Sequence, residues 1–181
     1  MSLSPPSSRK LIHTRRIVCE GYQRDDGLWD IEGQIVDTKA YSFETHARGT
    51  VAAGTPVHDM RVRLTIDEDM LVHEAEAETV SSPFGTCRDV APDIGKLKGE
   101  RIVAGWSKRV FAALGSSLGC THINHLLTGP LATTAFQAMV AVRQARPREP
   151  DKKPPLIDTC YALRADGPVV KQEWPDFYTG D

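Results

Sequence analysis

The stretch Gly119-Cys120-Thr121-His122-Ile123-Asn124-His125 gathers a thiol and two imidazoles in a chain with only four cysteines and six histidines. Thiolate and imidazole are favoured ligands of zinc and of iron-sulfur clusters, with carboxylate as a further option. Two other places carry the same kinds of group: His58-Asp59 at the start of an alternating run, and Cys87 shortly after the next run ends. Each follows a loop, where a rigid scaffold commonly holds reactive groups. His58, Asp59, Cys87, Cys120 and His122 therefore form the candidate metal set. For catalysis, His58 would act as general base, Asp59 as its orienting partner, and Cys120 and His122 as the thiol and imidazole of the pocket.

Plainer roles compete at every position. A free cysteine such as Cys87 is often small core filling. Cys120 is harder to dismiss, because free amides at a helix start stabilise an anion such as a thiolate. His122 and His125 lie three apart on one helix side, where histidine often caps or packs. His13, His46, Cys19 and an inward-facing His73 read as structural. Asp30, Glu32 and Asp37 read as one acidic strand face, able to hold a general base or a hard cation but more simply a solvated face guarding a sheet edge. Trp29, Tyr22 and Trp106 could line an aromatic pocket, although Trp106 completes a helical core stripe.

Two β-type runs must position the first of these groups; they flank Asp25-Asp26-Gly27, a strong hairpin-turn sequence. In the second run Trp29, Ile31, Gly33 and Ile35 alternate with Asp30, Glu32 and Gln34. The Gly-, Ala- and Thr-rich HARGTVAAGTP reads as a loop. Met60, Val62, Leu64 and Ile66 then alternate with Arg61, Arg63 and Thr65, and Ala75 and Ala77 with Glu74, Glu76 and Glu78, predicting a second hairpin that turns at Asp67 to Asp69. Beyond Cys87 the period changes to about 3.6 residues. Ile102, Val103, Trp106, Val110 and Leu114 form a stripe ending at Gly115, a helix follows Cys120, Gly129-Pro130 splits or kinks it, and helical sequence continues to RPREPDKKPP. Strands first and helices after predict an α+β fold, an antiparallel sheet of three or more strands with helices packed on one face.

The Ser- and Pro-rich residues 1–14 are expected to form a flexible arm, residues 15–146 the α+β domain, and residues 147–181 an extension packed on it with one short extended piece. A length of 181 residues suffices for one well-buried core. The formal net charge of -2 supplies no basic field, so no nucleic-acid partner is expected. No apolar run approaches the roughly 18 residues needed to span a bilayer, and the first residues lack a secretory apolar block, so no membrane association and a cytoplasmic location are expected. The four cysteines lack CxxC spacing and read as free thiols or ligands. One long exposed sheet face makes a homodimer an expectation.

The segments YQRDDGLWDIEGQIVDTK, PVHDMRVRLTID, PFGTC, AGWS and GCTHINHL together resemble a bacterial family known only as a domain of unknown function. The likeness covers most of the chain from Arg15 to Leu131 and implies no particular activity. It does imply a carboxylate near position 125, so His125 departs from the pattern and is not expected to be a required catalytic group. In topology and ligand order the chain is also similar to iron-sulfur cluster scaffold proteins. By that likeness His58-Asp59, Cys87 and the Cys120-His122 pair would converge, with Asp59 standing where the scaffolds carry a cysteine or a nearby aspartate.

The expected function is that of a small enzyme acting on a small molecule, an aromatic one among the options. The chemistry would be acid-base lyase or isomerase chemistry, or metal-assisted chemistry of the hydrolase kind. Zinc or iron could serve as cofactor, and so could no metal at all. The alternatives are a non-catalytic carrier of zinc or an iron-sulfur cluster, and a structural or interaction module.

Overall fold

The turn at Asp25-Asp26-Gly27 joins the first two strands of a four-stranded antiparallel sheet. The computed structural model describes residues 3–145 and 151–181, and the chain divides into two compact units, Met1–Arg143 and Gln144–Asp181. In the first unit, β1 (His13–Gln23), β2 (Trp29–Lys39), β5 (Pro56–Ile66) and β6 (Val72–Ser81) form the sheet in the order β1-β2-β5-β6. The segment between β2 and β5 is more than a loop, for β3 (Phe43–Thr45) and β4 (Gly49–Val51) pair there as a small separate ladder.

Opposed residues in an antiparallel ladder share a face. Ile31, Gly33 and Ile35 of β2 therefore line up with Leu64, Val62 and Met60 of β5, and these with Ala75, Ala77 and Thr79 of β6. Four helices follow in sequence: α1 (Trp106–Leu114), α2 (Thr121–Thr128), α3 (Pro130–Ala138) and α4 (Val140–Ala145). Ile123, Leu126, Leu127 and Leu131 join the strand residues in one buried cluster. Each such side chain contributes about 1.5–3 kcal/mol on leaving water. Gly33 matters to this packing because a Cβ there would lie 2.9 Å from Leu131 Cδ2. The missing side chain leaves a notch that seats α3 on the sheet. Trp106 Nε1 donates to the Leu127 carbonyl at 2.8 Å and ties α1 to the end of α2.

The sheet's other face is charged, with Arg61 3.5 Å from Glu78 and Arg63 between Glu32 and Glu76. Asp37 is not part of that face. It has the parity of Ile31 and Ile35, turns toward the helices, and is 1% exposed. His73 does not face inward among the alanines, because the ladder slips between Thr65 and Ile66 and leaves it unopposed. Its Nε2 instead meets Asp67 Oδ2 at 2.9 Å. Val103 is exposed and outside the helical stripe. The helical run past Gly129 breaks again at the buried Met139, and the stop read at RPREP lies outside the described residues.

The second unit holds α5 (Pro168–Glu173) and short 3-10 turns at Tyr161–Leu163 and Pro175–Phe177, and its Ile157 and Val170 are buried. No strand occurs among its described residues where an extended piece was expected. Pro168 at the first helical position favours helix there instead. Among the described residues no helix is long and apolar enough to cross a membrane.

Candidate metal centre

Arg15 lies opposite Asp37 in the β1-β2 ladder, and Asp37 lies opposite His58 in the β2-β5 ladder. The three side chains therefore form one row across three strands, on the helix-covered face and at its end. A register irregularity just past Asp37 brings Thr38 opposite Pro56 and closes the row where β5 begins.

His122 reaches this row from above. Ile123, Leu126 and Leu127 bury against the sheet and fix the rotation of α2. Two contacts set the height of its start. Asn124 Nδ2 donates to the Leu114 carbonyl at 2.6 Å. Gly119 passes so close to the same carbonyl that a Cβ would lie 2.4 Å from it. Held this way, His122 Nε2 lies 3.3 Å from Asp37 Oδ2, and His58 Nδ1 lies 3.2 Å from the same oxygen. The two imidazoles stack with centroids 3.9 Å apart.

The carboxylate at the centre is anchored by Arg15, whose Nε and Nη2 donate to Oδ1 and Oδ2 at 2.8 and 2.7 Å. His13 Nε2 adds a contact to Oδ1 at 3.3 Å. The guanidinium fork holds the Asp37 pKa down at about 2 against the opposing effect of burial. Burial pushes both central imidazoles below the usual histidine value. Asp37 partly offsets this at His58, and the neighbouring His58 ring adds to it at His122. At neutral pH the group therefore consists of an ionised carboxylate and two neutral imidazoles, the forms in which these side chains bind metal. One ligand atom from each of Asp37, His58 and His122 lies within 4.8 Å of the others.

Of the residues singled out from sequence, His58 and His122 meet at Asp37, and Cys120 stands behind His122, its Sγ 3.9 Å from Nδ1. Asp59 does not join them. As the strand neighbour of His58 it points to the opposite face, where its Oδ1 accepts from Gln34 Nε2 at 2.7 Å. Cys87 sits in the 3-10 turn Gly85–Arg88, its carbonyl accepting from Thr79 Oγ1 at 3.4 Å, and is not one of the residues brought within ligand distance. All four cysteines are free. His125 is exposed on the outer side of α2. Arg15, His13 and the central role of Asp37 were missed, although the register of the first hairpin carries the signal for Arg15 and Asp37.

The family model described as "Protein of unknown function (DUF2889)" matches residues 13–137, and the chain belongs to that family. No curated protein and no solved structure matches the chain.

Proposed function

We propose that this member of the DUF2889 family is a metal-dependent enzyme acting on small molecules, with Asp37, His58 and His122 as the protein ligands of one divalent ion of the zinc type. The observation that carries the proposal is the convergence of two imidazoles, from strand and helix, on one buried carboxylate oxygen at 3.2 and 3.3 Å. Nitrogen and oxygen ligands at roughly 2.0–2.1 Å from a tetrahedral zinc stand about 3.3 Å apart, so both of these edges suit such an ion. Three protein ligands leave a fourth position for water or substrate, the pattern of catalytic rather than structural zinc. When bound there, the ion would supply an activated water or polarise a carbonyl. The chain's own part is to keep the donors in the binding form. Arg15 holds Asp37 ionised and oriented, burial keeps the imidazoles neutral, and Cys120 supports the far nitrogen of His122.

An all-thiolate cluster finds less support, since among the ligand-distance residues there is no sulfur. Elemental analysis and metal titration of the purified protein test the reading. One equivalent of zinc is expected in the native chain. His58→Ala, His122→Ala and Asp37→Asn should each weaken binding beyond the ~10–100-fold effect of a supporting residue, while Asp59→Asn and Cys87→Ala should bind as the native chain does. Failure of the native chain to take up a stoichiometric ion would end the proposal.

One contact favours a second, metal-free reading. The line from Cys120 Sγ through His122 to Asp37 has the order of a thiol, a base and an orienting carboxylate. Under it, His122→Ala slows alkylation of Cys120 by iodoacetamide relative to Cys160 in metal-free protein. Equal rates in the two proteins would remove this reading.

A further inference from the structure

We infer that the metal-loaded centre takes its small-molecule ligand through an oxyanion, a carboxylate or phosphate group, received jointly by the ion and by the free edge of Arg15. This rests on the metal reading and adds to it a class of substrate.

The first support is charge. Asp37 is the sole carboxylate among the described residues that can share an ion with the two imidazoles, and Arg15 already neutralises it through a bidentate pair. Imidazoles bind a metal in their neutral form, so a bound divalent ion leaves two positive charges without compensation in a half-buried setting. Such charge is costly to leave unpaired and draws an anion strongly. The acids nearby in sequence do not meet this need. Asp59 is on the other face of the sheet and held by Gln34, and Glu44 on β3 accepts from Thr50 Oγ1 at 2.5 Å. Arg48, a permanent cation, is fixed at the start of β5 by the Pro56 carbonyl and Ser81 Oγ, at 3.0 and 3.3 Å.

The second support is an uncommitted donor. Arg15 uses Nε and Nη2 on Asp37, whereas Nη1 has no partner among the described residues, and the side chain is 41% exposed. A guanidinium held rigidly by one carboxylate, with a remaining donor edge open to solvent, is already oriented for a second oxyanion.

Cobalt(II) bound to the full chain gives visible bands that report on its ligands. Acetate, methyl phosphate and neutral acetamide are titrated into the cobalt-loaded protein at constant ionic strength. Saturable band changes with acetate, methyl phosphate or both, but not with acetamide, are expected, and the preferred anion identifies carboxylate or phosphoryl chemistry. Arg15→Lys, which keeps the charge but loses the fork, should weaken that anion about tenfold. If cobalt binds and the anions do no more than acetamide, the oxyanion inference is overturned while the metal reading stands. If cobalt does not bind the native chain, both fall. The titration of the native chain decides these outcomes even where Arg15→Lys fails to fold.

Discussion

Asp37 is held from four directions, and its ion pair with Arg15 has a cost when broken. Arg15→Met leaves a buried carboxylate facing only imidazoles. It should lower stability to urea at pH 7 by about 2–3 kcal/mol, less than the ~3–5 of a wholly buried pair because the guanidinium is partly in water. The acid response should come in two stages. His58 and His122 stay neutral in the folded chain below the ordinary value of 6.5, whereas the unfolded chain takes up protons there. Stability of the metal-free protein is therefore lost as pH falls from about 6.5 through the lowered folded values. The contribution of Asp37 is complete above 3.8 and disappears as pH falls through about 2. Urea midpoints at pH 7, 6 and 5 check the first stage, and a His58→Gln, His122→Gln double variant should flatten it. Residue type was enough to flag His58 and His122 from sequence. Asp37 was misread because its charge suggested water, although it shares the alternation of Ile31 and Ile35. Asp59 was misread because nearness along a strand was taken for nearness in space.

At the scale of elements, the centre depends on how tightly helices seat on the sheet. Gly33→Ala should drive a methyl into Leu131 and cost about 1–3 kcal/mol, although alanine is ordinarily tolerated in strands. Thermal unfolding of the variant checks this, and no destabilisation would mean that α3 is not seated on that notch. Gly119→Ala pushes the chain off the Leu114 carbonyl, so it should displace His122 and weaken metal binding more than it weakens the fold. The two hairpins were legible because alternation and turn residues agreed. Strands β3 and β4, three residues each, are too short for alternation to show. The break at Met139 has neither glycine nor proline to announce it, since Met139 stops the helix while buried in the core.

For the whole molecule, the match to the family ends at residue 137, inside the first compact unit. A chain ending at Ala145 should keep cooperative unfolding and zinc affinity close to that of the full chain, measured by urea titration and competition with a chelator. Loss of either would show that the second unit is needed to complete the fold. The two-unit division was only partly readable, because the apolar tail residues gave composition without a partner. The centre also draws its members from β1, β2, β5 and α2, which are far apart along the chain. A nascent chain paused anywhere between Ser82 and Gly119 has Asp37, Arg15 and His58, but not His122. Under the metal reading, ion capture would wait until α2 has left the ribosome.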